Sequence, residues 1–129
     1  MTTARHASGA VHIPALGDLV LGGYGCSGKL RTAELLQVVG VSDGSAPVWK
    51  EISPMNIHRS WPSAVHFDGS IYVASWEASS VEMLSLPAGQ PGQWTLLSES
   101  DTLTCRPSNI CVYNKCILLV GQSKAGEVH

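Results

Sequence analysis

The chain has 129 residues, 44% of them hydrophobic and 14% charged, with a formal net charge of −2. That length gives room for one ordinary domain with a buried core. The charge supplies neither the basic stripe that a long nucleic acid requires nor a polybasic patch for a membrane surface, and no apolar run approaches the roughly 20 residues that span a bilayer.

At the N-terminus, Met1-Thr2-Thr3-Ala4-Arg5-His6 lacks the apolar stretch of a secretory signal, which predicts a cytoplasmic protein. The segment "AVHIPALGDLVLGG" (10–23) then places two apolar runs around a turn, the pattern of a hairpin. Next, Gly23, Gly28 and Lys29 satisfy G-x-x-x-x-G-K behind an apolar run, which raises the alternative of a phosphate loop binding nucleotide through Gly23 to Lys29. The residue that should offer a hydroxyl to magnesium is Leu30, and the remaining chain lacks the long helices that a parallel sheet would need. Over 30–41 the apolar positions form no single helical stripe, and Val38, Val39 and Val41 favour strand, so this segment is predicted as loop and strand.

Further along, "VWKEISPM" (48–55) is a short strand opened by tryptophan, and "AVHFDGSIYVAS" (64–75) is a second hairpin around Asp68-Gly69, a strong two-residue turn signal. "VEML" (81–84) and "QWTLLSES" (93–100) follow as strands, and "ICVYNKCILLVG" (110–121) is a third hairpin around Asn114-Lys115. Prolines at 14, 47, 54, 62, 87, 91 and 107 leave few windows for helix. The four cysteines, at 26, 105, 111 and 116, match no common zinc spacing and are expected to be buried free thiols.

These elements repeat. The second and third hairpins superpose without a gap, whereas the first carries two extra residues in its turn. Arg5, Arg59 and Arg106 precede the three hairpins. Glu34 and Glu82 occupy the strand that follows the first two, and Trp49 and Trp94 open the strand after that. A unit of four short strands recurring at about 45 to 54 residues is the pattern of a propeller blade. The repeated arginines are expected to tie loops together and the repeated tryptophans to pack one unit on the next. His12 and His66 are repeat-related, so they fall on two units and do not converge on a metal.

In these residues the chain resembles the kelch repeat. "LVLGG" with "VWKEISPMNIHR", and "SIYVAS" with "VEML" and "QWTLL", carry the likeness over nearly the whole length. The family's double glycine is Gly22-Gly23 in the first copy, Ala74-Ser75 in the second and Val120-Gly121 in the third, and its tyrosine is replaced by Leu36 and Leu84. The resemblance implies an all-β fold of antiparallel four-stranded kelch-type β-propeller blades, in an incomplete propeller: repeat 1 over 5–58, repeat 2 over 59–105, and the first hairpin of repeat 3 over 106–129. In that setting the phosphate-loop glycines are turn residues.

The resemblance also implies a protein-binding face made from the loop after the double glycine, here Tyr24, Trp76 and Gln122, and from the residue two beyond each arginine, here Ala7, Trp61 and Ser108. The competing structural reading is that Trp61 and Trp76 fill space left by the missing glycine and tyrosine. The expected partners are proteins, with no cofactor, no metal and no catalytic residues. Two units and a hairpin cannot close a ring of the usual 4–8 blades. The chain is therefore expected either to self-associate or to belong to a longer parent, where the family's common role is recognition for a ubiquitin ligase.

Overall fold

The computed structural model describes residues 1–39, 46–75, 78–87, 91–97 and 105–123. Throughout these residues the regular structure is antiparallel β-sheet. Strands β1 (Gly9–Ile13), β2 (Gly17–Leu21), β5 (Ala33–Val39) and β6 (Ala46–Ile52) form a first four-stranded sheet in that order. A second sheet has the same layout, with β7 (Ser63–Phe67), β8 (Ser70–Ser75), β9 (Ala78–Ser85) and β10 (Trp94–Leu96) in sequence order. A third unit is the hairpin β11 (Cys105–Tyr113) and β12 (Cys116–Ser123). Among the described residues no helix is long and apolar enough to cross a membrane.

The turns behave as their residues dictate. Asp68 and Gly69 both have positive φ, 50° and 76°, as do Asn114 and Lys115 at 49° and 62°. That is the two-residue turn whose twist suits paired strands. The turn of the first hairpin is Pro14-Ala15-Leu16, between paired Ile13 and Gly17, and so exceeds the second turn by one residue rather than the two expected. Strand register fixes the consequence: Val20 faces Glu34 across the ladder as Val73 faces Glu82, so Gly22 stands where Ser75 stands.

Alternation along the strands builds the core. Leu19 and Leu21 on β2, with Ala33 and Leu35 on β5, turn one face of the first sheet toward Ile71, Val73, Leu84 and Trp94 of the second, and Met55 closes the layer. Each of these large apolar side chains is essentially out of water, and full burial of such a side chain contributes about 1.5–3 kcal/mol. The opposite face of the second sheet presents Val65, Tyr72, Ala74 and Val81 to Ile110, Ile117 and Leu119 of the third unit. Three consecutive β units are thus stacked face to face, with β1 against β7 and β7 against β11.

Trp94 joins two units in the expected way: its ring is buried and its indole N–H donates to the carbonyl of Ser53 at 2.8 Å. The thiols differ from expectation. Cys26, Cys111 and Cys116 are free but exposed: Cys26 lies in the turn between Gly25 and Gly28, and register puts Cys111 and Cys116 on the face of their hairpin opposite Ile110, Ile117 and Leu119, while the side chain of Cys105 lies outside the described residues.

Candidate functional site

Arg5 and Arg59 enter their sheets just ahead of β1 and β7, and each is consumed by its own repeat. Arg5 Nη2 meets Glu34 Oε2 at 2.7 Å and Arg59 Nη2 meets Glu82 Oε2 at 3.0 Å, all four side chains being fully buried. The amides of Thr2 and Thr3 donate to Glu34 at 2.6 and 3.3 Å, and those of Asn56 and Ile57 donate to Glu82 at the same two distances. Nη1 of Arg5 reaches the carbonyls of Gly22 and Thr32, both at 3.0 Å. Nη1 of Arg59 reaches the hydroxyl of Ser75 at 3.1 Å and the carbonyl of Ser80 at 3.0 Å.

A buried carboxylate with this many donors is held ionised. Burial pushes the Glu34 carboxyl up, but the hydroxyl and amide of Thr2, the Arg5 guanidinium and the amide of Thr3 outweigh it and bring its pKa down to about 2. The arginine–glutamate pairs are thus internal ties that fix the loops, which leaves recognition to other residues at this end of the sheets. The recurring polar residue three positions before each arginine, Thr2 and Asn56, was the legible signal for this network.

Gly22 and Gly23 allow the repeats to be knitted together. Their φ values are 64° and 91°, and a Cβ would lie 2.4 Å from the Arg59 carbonyl oxygen at the first and 2.4 Å from that of His6 at the second. The Gly23 amide donates to the Arg59 carbonyl at 2.7 Å, and the Arg59 amide donates to that of Leu30 at 3.0 Å. Beyond the glycines, the G-x-x-x-x-G-K segment folds as a small hairpin, β3 (Tyr24–Gly25) with β4 (Gly28–Lys29). Strand β5 follows it, where a phosphate loop would lead into a helix whose N-terminus meets the phosphates.

The predicted site residues fall in different settings. Trp61 is 73% exposed, so it projects from the surface and fills no gap in the core. Its φ is 50°, matched by 54° at Ala7, the corresponding residue of the first repeat. Ser108, the third member of that set, sits at the β11 register shift between Pro107 and Asn109. Tyr24 is half-buried and stacks on His6, with ring centroids 5.4 Å apart and planes 18° from parallel. An open cleft of about 400 Å³ lies beside this pair, lined by Ala4, Arg5, His6, Tyr24, Gly25 and Cys26. Gln122 pairs with Arg106 through the backbone of β12, and Trp76 lies outside the described residues.

His6 was not anticipated as a neighbour of Tyr24, because the contact depends on a bridge between segments distant in sequence. His12 pairs with Asp18 at 2.7 Å on the exposed surface of the first hairpin, while His66 lines a separate cleft between the turns with Ile13 and Leu86. Among the described residues no three metal-ligating side chains come together. No family model matches the chain, and no curated protein matches it.

Proposed function

We propose that the chain is a protein–protein interaction module built from kelch-type propeller blades, with Trp61 as its principal contact and Tyr24 beside the cleft as a second. The observation that carries this reading is Trp61 itself: a large aromatic side chain left in solvent on a backbone fixed by the fold. Rigid, exposed aromatics lose little conformational entropy on binding, and tryptophan and tyrosine are over-represented among the residues that dominate interfaces. The kelch assignment is supported by the two four-stranded sheets in sequence order, the duplicated arginine–glutamate ties and the buried Trp94 at the junction. At Arg59 the Nε, Nη1 and Nη2 donors are all engaged within the protein, and so are both Nη groups of Arg5, whose buried Nε has no hydrogen-bond partner among the described residues.

In a complete ring the same face would present Tyr24, Trp61, Ser108 and Gln122 around one end. Within a longer cytoplasmic parent this module would serve as the substrate-recognition part of a ubiquitin-ligase adaptor. The test is capture of protein partners from cell extract by the wild-type chain and by Trp61→Ala, with thermal melts of both. Weakened capture at an unchanged melting temperature supports the reading. Unchanged capture, or a loss of stability that accounts for the weaker capture, refutes it.

A further inference from the structure

The two repeat-related histidines differ in what they meet. His12 stands opposite Asp18 across the first hairpin, and its Nδ1 lies 2.7 Å from the Asp18 carboxylate. His66 holds the same place in the second hairpin, where the residue opposite is Ile71, a fully buried core residue that offers no acceptor. Among the described residues His66 has no hydrogen-bond or ion-pair partner. The position that carries an imidazole with its carboxylate in one repeat thus carries the imidazole alone in the other.

That imidazole lines a cleft of about 280 Å³ between the turns of the first two hairpins. Ile13, Leu16 and Leu86 give its apolar floor, buried or half-buried against the core that the two sheets share. Exposed Pro14, Ala15 and Gly69 give its rim, and half-buried His66 is the one polar side chain among the described residues that line it. Apolar walls with a single convergent polar group are the usual form of a small-molecule site, and this one falls just under the ~300–1,000 Å³ that holds a drug-sized ligand. Its space suits a ligand of a few carbon atoms, and its polarity suits one with a single polar group. A peptide main chain, with an amide at every residue, finds only one polar side chain here.

We infer that this cleft binds a small aliphatic carboxylic acid, its tail on Ile13, Leu16 and Leu86 and its carboxylate on the imidazole of His66, in the way that Asp18 meets His12. A ring N–H that donates to an ionised carboxylate makes a stronger bond than one between neutral groups. Asp68, beside Gly69 in the turn, is not among the residues that line the cleft, so no carboxylate of the chain already fills the place. The site is formed between the first and second repeats at the turn end of their sheets. It is independent of the Trp61 site, which lies among the loops at the arginine end.

The test is a titration of the full chain at constant pH with hexanoate, read by NMR through the imidazole Cε1–H signal of His66, which His66→Gln identifies by its loss. Hexanoate is expected to move that signal saturably. Hexanamide, with the same tail but no charge, is expected to bind about tenfold more weakly, the loss of one charge-assisted hydrogen bond. Ala15→Asp sets a carboxylate on the rim and is expected to weaken hexanoate by a similar factor, whereas the uncharged Ala15→Asn binds as wild type; both residues tolerate the left-handed backbone at this position, φ 64°. Circular dichroism verifies that each variant keeps the wild-type β signal. The inference is overturned if hexanoate gives no saturable shift, if the amide binds as tightly as the acid, or if Ala15→Asp leaves hexanoate binding unchanged. A tripeptide ending in a free leucine carboxylate is titrated alongside, and binding of that peptide without binding of hexanoate also overturns it, since the site would then take a chain terminus. Partner capture through Trp61 survives Ala15→Asp, so failure here is distinguishable from failure of the proposed recognition site.

Discussion

The backbone N–H of Trp61 donates to the carbonyl of Ala7 at 2.8 Å, so the same position in two successive repeats is joined directly, with φ near 50° at both ends. A left-handed backbone at a residue with a Cβ costs about 1–2 kcal/mol, and glycine would occupy the same conformation without that cost. The chain keeps tryptophan there although the side chain buries little. Trp61→Gly is therefore expected to leave stability within about 1 kcal/mol of wild type, since relief of strain offsets the greater freedom of the unfolded chain. Urea denaturation measures the stability, and the same protein should capture partners less well.

Removing one partner of a buried ion pair leaves the other charged and unpaired. Arg59→Met should lower unfolding free energy by about 3–5 kcal/mol, enough to abolish a cooperative transition in a marginal domain. The double change Arg59→Met with Glu82→Leu should recover part of that loss, because no isolated charge remains. Chemical denaturation of the three variants, read by circular dichroism, tests this.

Glu34 gives a pH dependence of definite sign. Its carboxyl titrates at about 2 in the folded chain against 4.5 ordinarily, so the unfolded state binds the proton more tightly. The stabilising contribution is complete above pH 4.5, declines as pH falls below it, and is gone below about 2. Thr2→Ala removes a hydroxyl donor to the carboxylate and should move the acid-unfolding midpoint to higher pH. An acid titration of both proteins decides the point.

Gly22 and Gly69 have similar φ, 64° and 76°, but different surroundings. A Cβ at Gly22 meets the Arg59 carbonyl oxygen at 2.4 Å, whereas one at Gly69 meets nothing within 4 Å. Gly22→Ala should therefore cost more than the ~1–2 kcal/mol of left-handed strain alone. Gly69→Asn should cost under about 1 kcal/mol, since asparagine tolerates this conformation. Paired thermal melts give the comparison.

Because residues 24–29 are a hairpin leading into a strand, Lys29 faces no helix N-terminus. Calorimetry with magnesium and ATP is expected to show no heat of binding, and Lys29→Ala to behave as wild type. Micromolar binding lost in that variant would restore the nucleotide reading.

Local pattern alone specified the strands and turns. Asp68-Gly69 and Asn114-Lys115 announce two-residue turns whatever surrounds them, and the valines at 38 and 39 disfavour helix through side-chain branching, a property of the residue itself. Repetition of arginine, glutamate and tryptophan likewise disclosed units of four strands before any contact was known. Tertiary structure decided everything that depends on register and on neighbours. It showed that the first turn is one residue longer than the second, because only pairing across the ladder counts a turn. It separated Trp94 from Trp49, identical in sequence role, since burial depends on whether a unit lies in front of the ring. Trp61 was left in solvent for a related reason. A tryptophan's apolar surface predicts burial on average, but this side chain stands on a left-handed loop residue and is exposed, and no feature of residue order encodes that direction.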